Sequence, residues 1–513
     1  MVEVLATVRR PVDAWAVAAT LESFGLRDVD AGRYGEADIF ALAKRVYDAC
    51  RTELRDQPDP RPALPSATAR EGVGRFVHFY VRGTLFALPM VVQTLSVLAL
   101  GYGLWSYLRF DLPAATAVSV GTIASFLITG GFVQATGRLG RYYLEQKAYL
   151  LARQVCWRLV RFGAVATLVA GLAMILLNVT SDVLPTHLAT QALVYYLLLS
   201  LMWLILAILY TLEQQVRIVA CVIAGIAVIA VLRTLTPLSI YLCHWIGLAA
   251  AIIFAFVLAR RGLDQHADRT SESSKLARLP RQSLLGYLVA PYFAYGVMYF
   301  AFLFLDRIVG WTAGDHPLFI WFNTPYEVGL DIALLSMVLT LAQLEYTIHS
   351  FSQQIVDVQK SFGADDMRGH NRYFRRFYLR QVLLLAVLSI SSAPIVLYLV
   401  RHLAGRLPAV QDVIADPITL QVFYVGALAY ALLVLALMNS VFFFSMSRVG
   451  FVMRGLSLAL VVDLAVGAFL SRHYAFWYSV FGLAAGAFVF ALITVLYGAR
   501  VIRRLDYYYY AAF

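Results

Sequence analysis

Through residues 82–500 the chain is a succession of apolar stretches of 20 or more residues, parted by short polar gaps. Each is long enough to cross a hydrocarbon layer of about 30 Å as a helix. A soluble domain is about 45 to 50% apolar, whereas this chain is 61% hydrophobic and 14% charged, with a mean hydropathy of +0.71. A membrane β-barrel needs segments of about ten residues that alternate apolar and polar, and runs such as AIIFAFVLA at 251–259 do not alternate. The pattern predicts an all-α polytopic membrane protein.

Twelve spans are expected, at 84–107, 112–136, 159–180, 187–212, 215–234, 237–260, 284–311, 325–349, 379–401, 418–446, 449–471 and 474–499. The polar stretch at 262–283 divides them six and six, a hinge between lobes 76–261 and 284–500, with a tail at 501–513. An even number of spans per half makes the halves parallel repeats, a recurrent plan among secondary transporters. Ahead of them, 1–55 reads as a small helical region without a signal peptide. There Pro11 and Asp13 open a helix that Gly25 ends, and Ile39, Leu42, Ala43, Val46, Tyr47 and Cys50 recur at helical spacing. Residues 56–75 carry Pro58, Pro60, Pro62 and Pro65 and read as an extended linker.

The net charge of +11 does not point to nucleic acid, because the first 75 residues hold 11 Lys or Arg against 12 Asp or Glu and the excess lies in the membrane part. Alternate ends of the spans hold 24 and 5 Lys or Arg. Cationic loops stay inside, so both termini are expected in the cytoplasm. Two long basic stretches, 137–161 after the second span and 345–381 after the eighth, read as amphipathic connectors at matching places in the two halves.

Motifs for enzymatic chemistry are missing: there is no GxxxxGK[ST], HExxH or GxSxG, no CxxC among the four cysteines, and no cluster among the nine histidines. No metal, cofactor or catalytic residue is expected, and His244 reads as a packing residue. What remains are ionisable groups inside spans, each of which needs a partner or a wet path. Asp306 and Arg307 adjoin in the seventh span, Glu327 and Asp331 follow in the eighth, and Asp463 stands alone in the eleventh. Asp306 and Arg307 either sit near the outer surface or line a pathway. Asp331 is too short to snorkel far and should face the bundle interior or a cavity. Asp463 is either a hydrogen-bonded carboxyl between helices or a coupling group for protons or ions. Arg138 and Arg141, three apart, either set topology or share a helix face that presents two guanidinium groups to one anion.

Several segments together resemble the polysaccharide branch of the multidrug/oligosaccharide/polysaccharide flippase superfamily, closest to the Pel-type exopolysaccharide exporters. They are TGRLGRYYLEQKAYLLAR at 136–153, PYFAYGVMYFAFLFLDRIVGW at 291–311 and YEVGLDIALLSMVLTLAQLEYTIHSF at 326–351. The resemblance implies a non-enzymatic transporter in a bacterial inner membrane. It would carry an exopolysaccharide or lipid-linked glycan outward by alternating access between its lobes. The substrate pathway would include Arg138, Arg141, Asp306, Arg307, Glu327 and Asp331, with Asp463 in coupling. Partners would be the glycan, membrane lipids and a cytoplasmic glycosyltransferase or other export-complex subunits. The alternatives are a cation-coupled small-molecule exporter of the same fold and a noncatalytic subunit of a polysaccharide synthase complex.

Overall fold

The computed structural model describes residues 2–8, 11, 13–53, 69–267, 279–314, 317–359, 362, 367–404 and 408–510. Helices α1 (Val2–Val8), α2 (Ala14–Ser23) and α3 (Ile39–Glu53) form a small unit with a core of its own around Val17, Leu21, Ile39 and Leu42. The sequence reading holds for α2, whose Ala16 N–H is capped by the Asp13 carboxylate and which is closed by Gly25 at φ 86°. It missed α1 and the 3-10 turn Asp28–Tyr34. Most of the Pro-rich linker and half of the hinge fall outside the described residues.

The first lobe is built from α4 (Ala69–Leu100), α5 (Leu112–Glu145), α6 (Tyr149–Ser181), α7 (Thr186–Thr211), α8 (Gln215–Leu235) and α9 (Ile240–Ala267). The second uses α10 (Gln282–Trp311), α11 (Thr324–Gln359), α12 (Met367–Ala404), the short α13 (Pro408–Ala415), α14 (Pro417–Ser445), α15 (Val449–His473) and α16 (Val480–Arg503), with α17 (Leu505–Tyr510) after it. Eleven of these helices are long and apolar enough to span a membrane among the described residues. The twelfth, α4, bears Pro89 and Gln93 around the shorter apolar piece Ala87–Val97. The protein is a multi-pass helical membrane protein of twelve membrane helices in two six-helix lobes.

Both lobes pack alike. The second membrane helix lies on the fourth, α5 on α7 and α11 on α14, and the fifth lies on the sixth, α8 on α9 and α15 on α16. The enclosed α7 and α14 are apolar on all sides, whereas α6 and α12 turn most of their surface outward. The lobes meet through two crossed pairs, α5 with α10 and α4 with α11.

Two expectations need correction. The first span does not reach 107: α4 stops at Leu100, and Gly101 at φ 82° starts a turn in which Tyr102 bridges Tyr107. Nor is either basic connector one unbroken stretch between spans. α5 runs on to Glu145 and α6 begins at Tyr149, while α11 runs to Gln359 and α12 begins at Met367. The basic residues extend spanning helices by a few turns, so their helical periodicity continues that of the span.

Three sharp reversals share one geometry. After α5, α7 and α14 the residues Lys147, Glu213 and Ser447 take φ of 58°, 57° and 55°. The next N–H reaches back five residues, Ala148 to Tyr143, Gln214 to Leu209 and Arg448 to Phe443. This is the Schellman closure, whose left-handed position favours glycine. These reversals lie at one end of the bundle, which also holds Arg138, Arg141 and the close of α16; we call it the basic end.

Helix crossing between lobes depends on glycine. A Cβ on Gly296 of α10 would collide with the Gly130 carbonyl of α5, and one on Gly131 would strike the Phe293 ring. Gly296→Val should therefore destabilise the purified protein by about 1–3 kcal/mol, read as a lower thermal midpoint in detergent. Gly286→Val, on the same helix with open space around it, should leave the midpoint unchanged.

Candidate functional site

The second lobe encloses an ionic cluster. Arg307, near the end of α10, is buried and donates to Glu327 through Nη1 and to Asp331 Oδ1 through Nη2 at 2.9 Å. Glu327 and Asp331 lie four residues apart at the start of α11, hence on one helix face. The Trp311 indole N–H donates to Glu327 Oε1 at 2.7 Å, so both carboxylate oxygens are engaged. The Tyr430 hydroxyl of α14 lies against the guanidinium.

Asp306, the preceding residue, points elsewhere. Its Oδ2 accepts from the Tyr326 hydroxyl at 2.7 Å, and that hydroxyl accepts from Ser479 Oγ at 2.9 Å, in the 3-10 turn Phe476–Ser479 that leads into α16. Its Oδ1 has no hydrogen-bond partner among the described residues. Asp463 of α15 is fully buried with neither oxygen bonded among the described residues, and its carboxyl lies within electrostatic reach of Asp306. Close packing holds it there: a Cβ on Gly482 would meet the Asp463 carbonyl oxygen, and one on Gly486 the Asp463 Cβ.

The structure thus joins five of the residues singled out in the sequence, Asp306, Arg307, Glu327, Asp331 and Asp463, from α10, α11 and α15. Asp331 opens this cluster to the outside, with its side chain 61% exposed. It lies eleven residues, three helical turns, before Ala342, so the two share a face of α11. At Ala342 that face touches α4, since a Cβ on Gly83 would sit 2.6 Å from the Ala342 carbonyl. Near the same level the Tyr80 hydroxyl donates to the Leu339 carbonyl at 2.7 Å, and Phe76 and Phe79 pack on Tyr346 and His349. The α4 and α11 faces are therefore in contact toward the basic end.

Arg138 and Arg141 do not join the cluster, nor do they converge on one group. Arg138 lies 4.8 Å over the Tyr292 ring of α10, in the other lobe. Arg141 Nη2 meets Glu213 Oε1 at 2.5 Å, and Arg82 of α4 meets the other oxygen at 2.6 Å. Sequence reading missed Glu213, Tyr326, Trp311 and Ser479. Neutral hydroxyls and an indole in apolar helices give no signal, and Glu213 sits in a loop where a carboxylate needs no partner. His244 accepts or donates one bond, Nδ1 to the Tyr195 hydroxyl at 2.8 Å, and is fully buried, as a packing residue should be. Among the described residues no group of three or more His, Cys, Asp or Glu is placed to hold a metal ion.

An aromatic row crosses between the lobes beside this cluster. Trp105 meets Trp203 edge-on, Trp203 stacks on Phe126 at 4.6 Å, and Phe126 stacks on Phe300 and Phe304 of α10 at 5.1 and 5.4 Å. Arg307 lies over the far ring, 5.9 Å from the Phe304 centroid.

No protein-family model matches the chain. No curated protein matches it either. Solved structures do. An outward-facing multidrug resistance MATE family transporter of the MOP superfamily superposes with a TM-score of 0.53 at 16% identity, over 84% of this chain and 96% of that one. An inward-facing one gives 0.53 at 14%, over 83% and 98%. A MOP superfamily transporter from Pyrococcus furiosus, described as having a binding pocket of reversed polarity, gives 0.54 at 15%, over 84% and 96%. At such identity the likeness is one of fold.

Removing one partner from a buried pair leaves an uncompensated charge and costs about 3–5 kcal/mol. Arg307→Met should therefore depress the thermal midpoint sharply, and Arg307→Met with Glu327→Gln should regain most of the loss. Additive losses in that cycle would show that the two side chains do not form the pair described.

Proposed function

We propose that the chain is a secondary transporter that moves an exopolysaccharide or lipid-linked glycan across a bacterial inner membrane, non-enzymatically, by alternating access between its lobes. The observation that carries this reading is the ionic cluster. Arg307 and Glu327 are buried, and among the described residues the pair reaches the surface through Asp331, whose side chain is 61% exposed. In a membrane such charges are tolerated along substrate or ion paths and are costly elsewhere. Support for the glycan comes from the resemblance of 136–153, 291–311 and 326–351 to the Pel-type exporters, and from the aromatic row ending at Arg307. Ring faces of this kind stack on sugars, and carboxylates and guanidinium bind hydroxyls.

On this reading the basic end is cytoplasmic, the lobes are held together there, and Asp331 lies toward the outer side. The region 1–55 hangs on the cytoplasmic side, within reach of a glycosyltransferase or another export-complex subunit. Arg138 and Arg141 belong to the cytoplasmic gate, Arg138 by its contact with α10. Asp463, with its unbonded oxygens near Asp306, is the coupling group. The guanidinium pairs with two of the four carboxyls, Glu327 and Asp331, so protons or cations would have to balance the remainder for the cluster to stay within the bilayer.

That same imbalance favours a second reading, a cation-coupled exporter of small molecules on this fold. The two readings differ in cargo. With the purified protein in vesicles, a fluorescent lipid-linked oligosaccharide should cross at a rate that Asp331→Asn lowers roughly tenfold, the effect of losing one charged contact of about 1.4 kcal/mol. Crossing of a cationic dye driven by an ion gradient, with no movement of the oligosaccharide, would replace the first reading by the second. Movement of neither would leave a noncatalytic subunit of a synthase complex. Asp463→Asn should leave the fold intact and make the rate independent of an imposed pH or cation gradient.

A further inference from the structure

Glu213 stands in a place that suits glycine. It holds φ 57° in the Schellman reversal between α7 and α8, where a side chain strains the backbone and glycine does not. The equivalent reversal of the second lobe carries Ser447 there, with no carboxylate. The side chain of Glu213 spreads its two oxygens to two helices, Oε2 to Arg82 of α4 and Oε1 to Arg141 of α5.

Those two helices carry the contacts between lobes. Gly83, next to Arg82, touches the α11 backbone, and Phe76, Phe79 and Tyr80 pack on α11 below it. Arg138, one turn before Arg141, lies on Tyr292 of α10. The first half of α4 is thus built onto the second lobe, and Arg82 ties it back to the first. If the lobes part at the basic end with α4 still on α11, the Arg82 pair must break. All three side chains are about one-third to one-half exposed, at 36, 50 and 44%, so the contact is open to water and to salt.

We propose that Glu213 is an ionic latch that holds the lobes shut at the basic end, and that its release is part of opening on that side. The inference rests on the two-lobe transport reading, but its test needs no cargo. Spin labels at Lys147→Cys and Ser447→Cys, one on an exposed reversal of each lobe, report the separation of the lobes at the basic end, in a background without the four native cysteines. Glu213→Gly relieves the backbone and removes the carboxylate, and Arg82→Gln cuts the α4 arm alone. Each should raise the long-distance population roughly two- to fivefold, the range of a partly exposed ion pair. In the parent, 1 M salt should produce the same shift, and in Glu213→Gly it should add nothing. Glu213→Asp should stay near the parent. A folded Glu213→Gly with the parent's distance distribution, or a parent distribution indifferent to salt, overturns the latch. A shift without movement of any glycan in vesicles keeps the latch and removes the proposed cargo.

Discussion

A guanidinium inside an apolar helix bundle must be surrounded by acceptors, and the second lobe is arranged around meeting that demand for Arg307. Glu327 and Asp331 take its two terminal nitrogens, Trp311 occupies the spare oxygen of Glu327, and Nε alone is left without a partner among the described residues. Both helix ends are thereby fixed: α10 cannot rotate without withdrawing Arg307, and α11 cannot slide without withdrawing two carboxylates a turn apart. Adjacent Asp306 is thrown to the other side of α10, where Tyr326 and Ser479 bind it and tie α11 to the entry of α16. A dipeptide of opposite charges thus organises four elements, because neighbours on a helix point about 100° apart.

Much of this was legible in the sequence. Runs of apolar residues predicted the spans, and the intramembrane charges named five members of the cluster, because the bilayer makes every such charge conspicuous. Two things were not legible. The ends of helices beyond the hydrocarbon were misread: residues 137–161 keep helical periodicity through a reversal at Lys147, and a turn made by a left-handed lysine has no composition signal. Nor were the partners legible. Glu213 is one acidic residue in a polar gap, and its importance comes from Arg82 and Arg141, which lie 131 and 72 residues away. Arg138 and Arg141 share a helix face as expected, yet one reaches across to α10 and the other back to the α7–α8 turn, since three residues still leave 60° between them.

The two lobes repeat each other in packing but not in charge. Within α5 to α9 the described acidic residues sit at or near helix ends, Glu145, Asp264 and the flanking Asp111, Asp182 and Glu213, while the second lobe carries Asp306, Glu327, Asp331 and Asp463 within its helices. Repeated packing gives the halves the same helix neighbours, joined at the glycine crossing of α5 and α10, and unequal charge sets them apart. Within the first lobe the buried His244 is engaged by Tyr195, whereas the ionic contacts lie at the helix ends, the Glu213 contact among them. The two lobes are joined through α10 and α11, the two helices that carry most of the cluster as well as the contacts with α5 and α4.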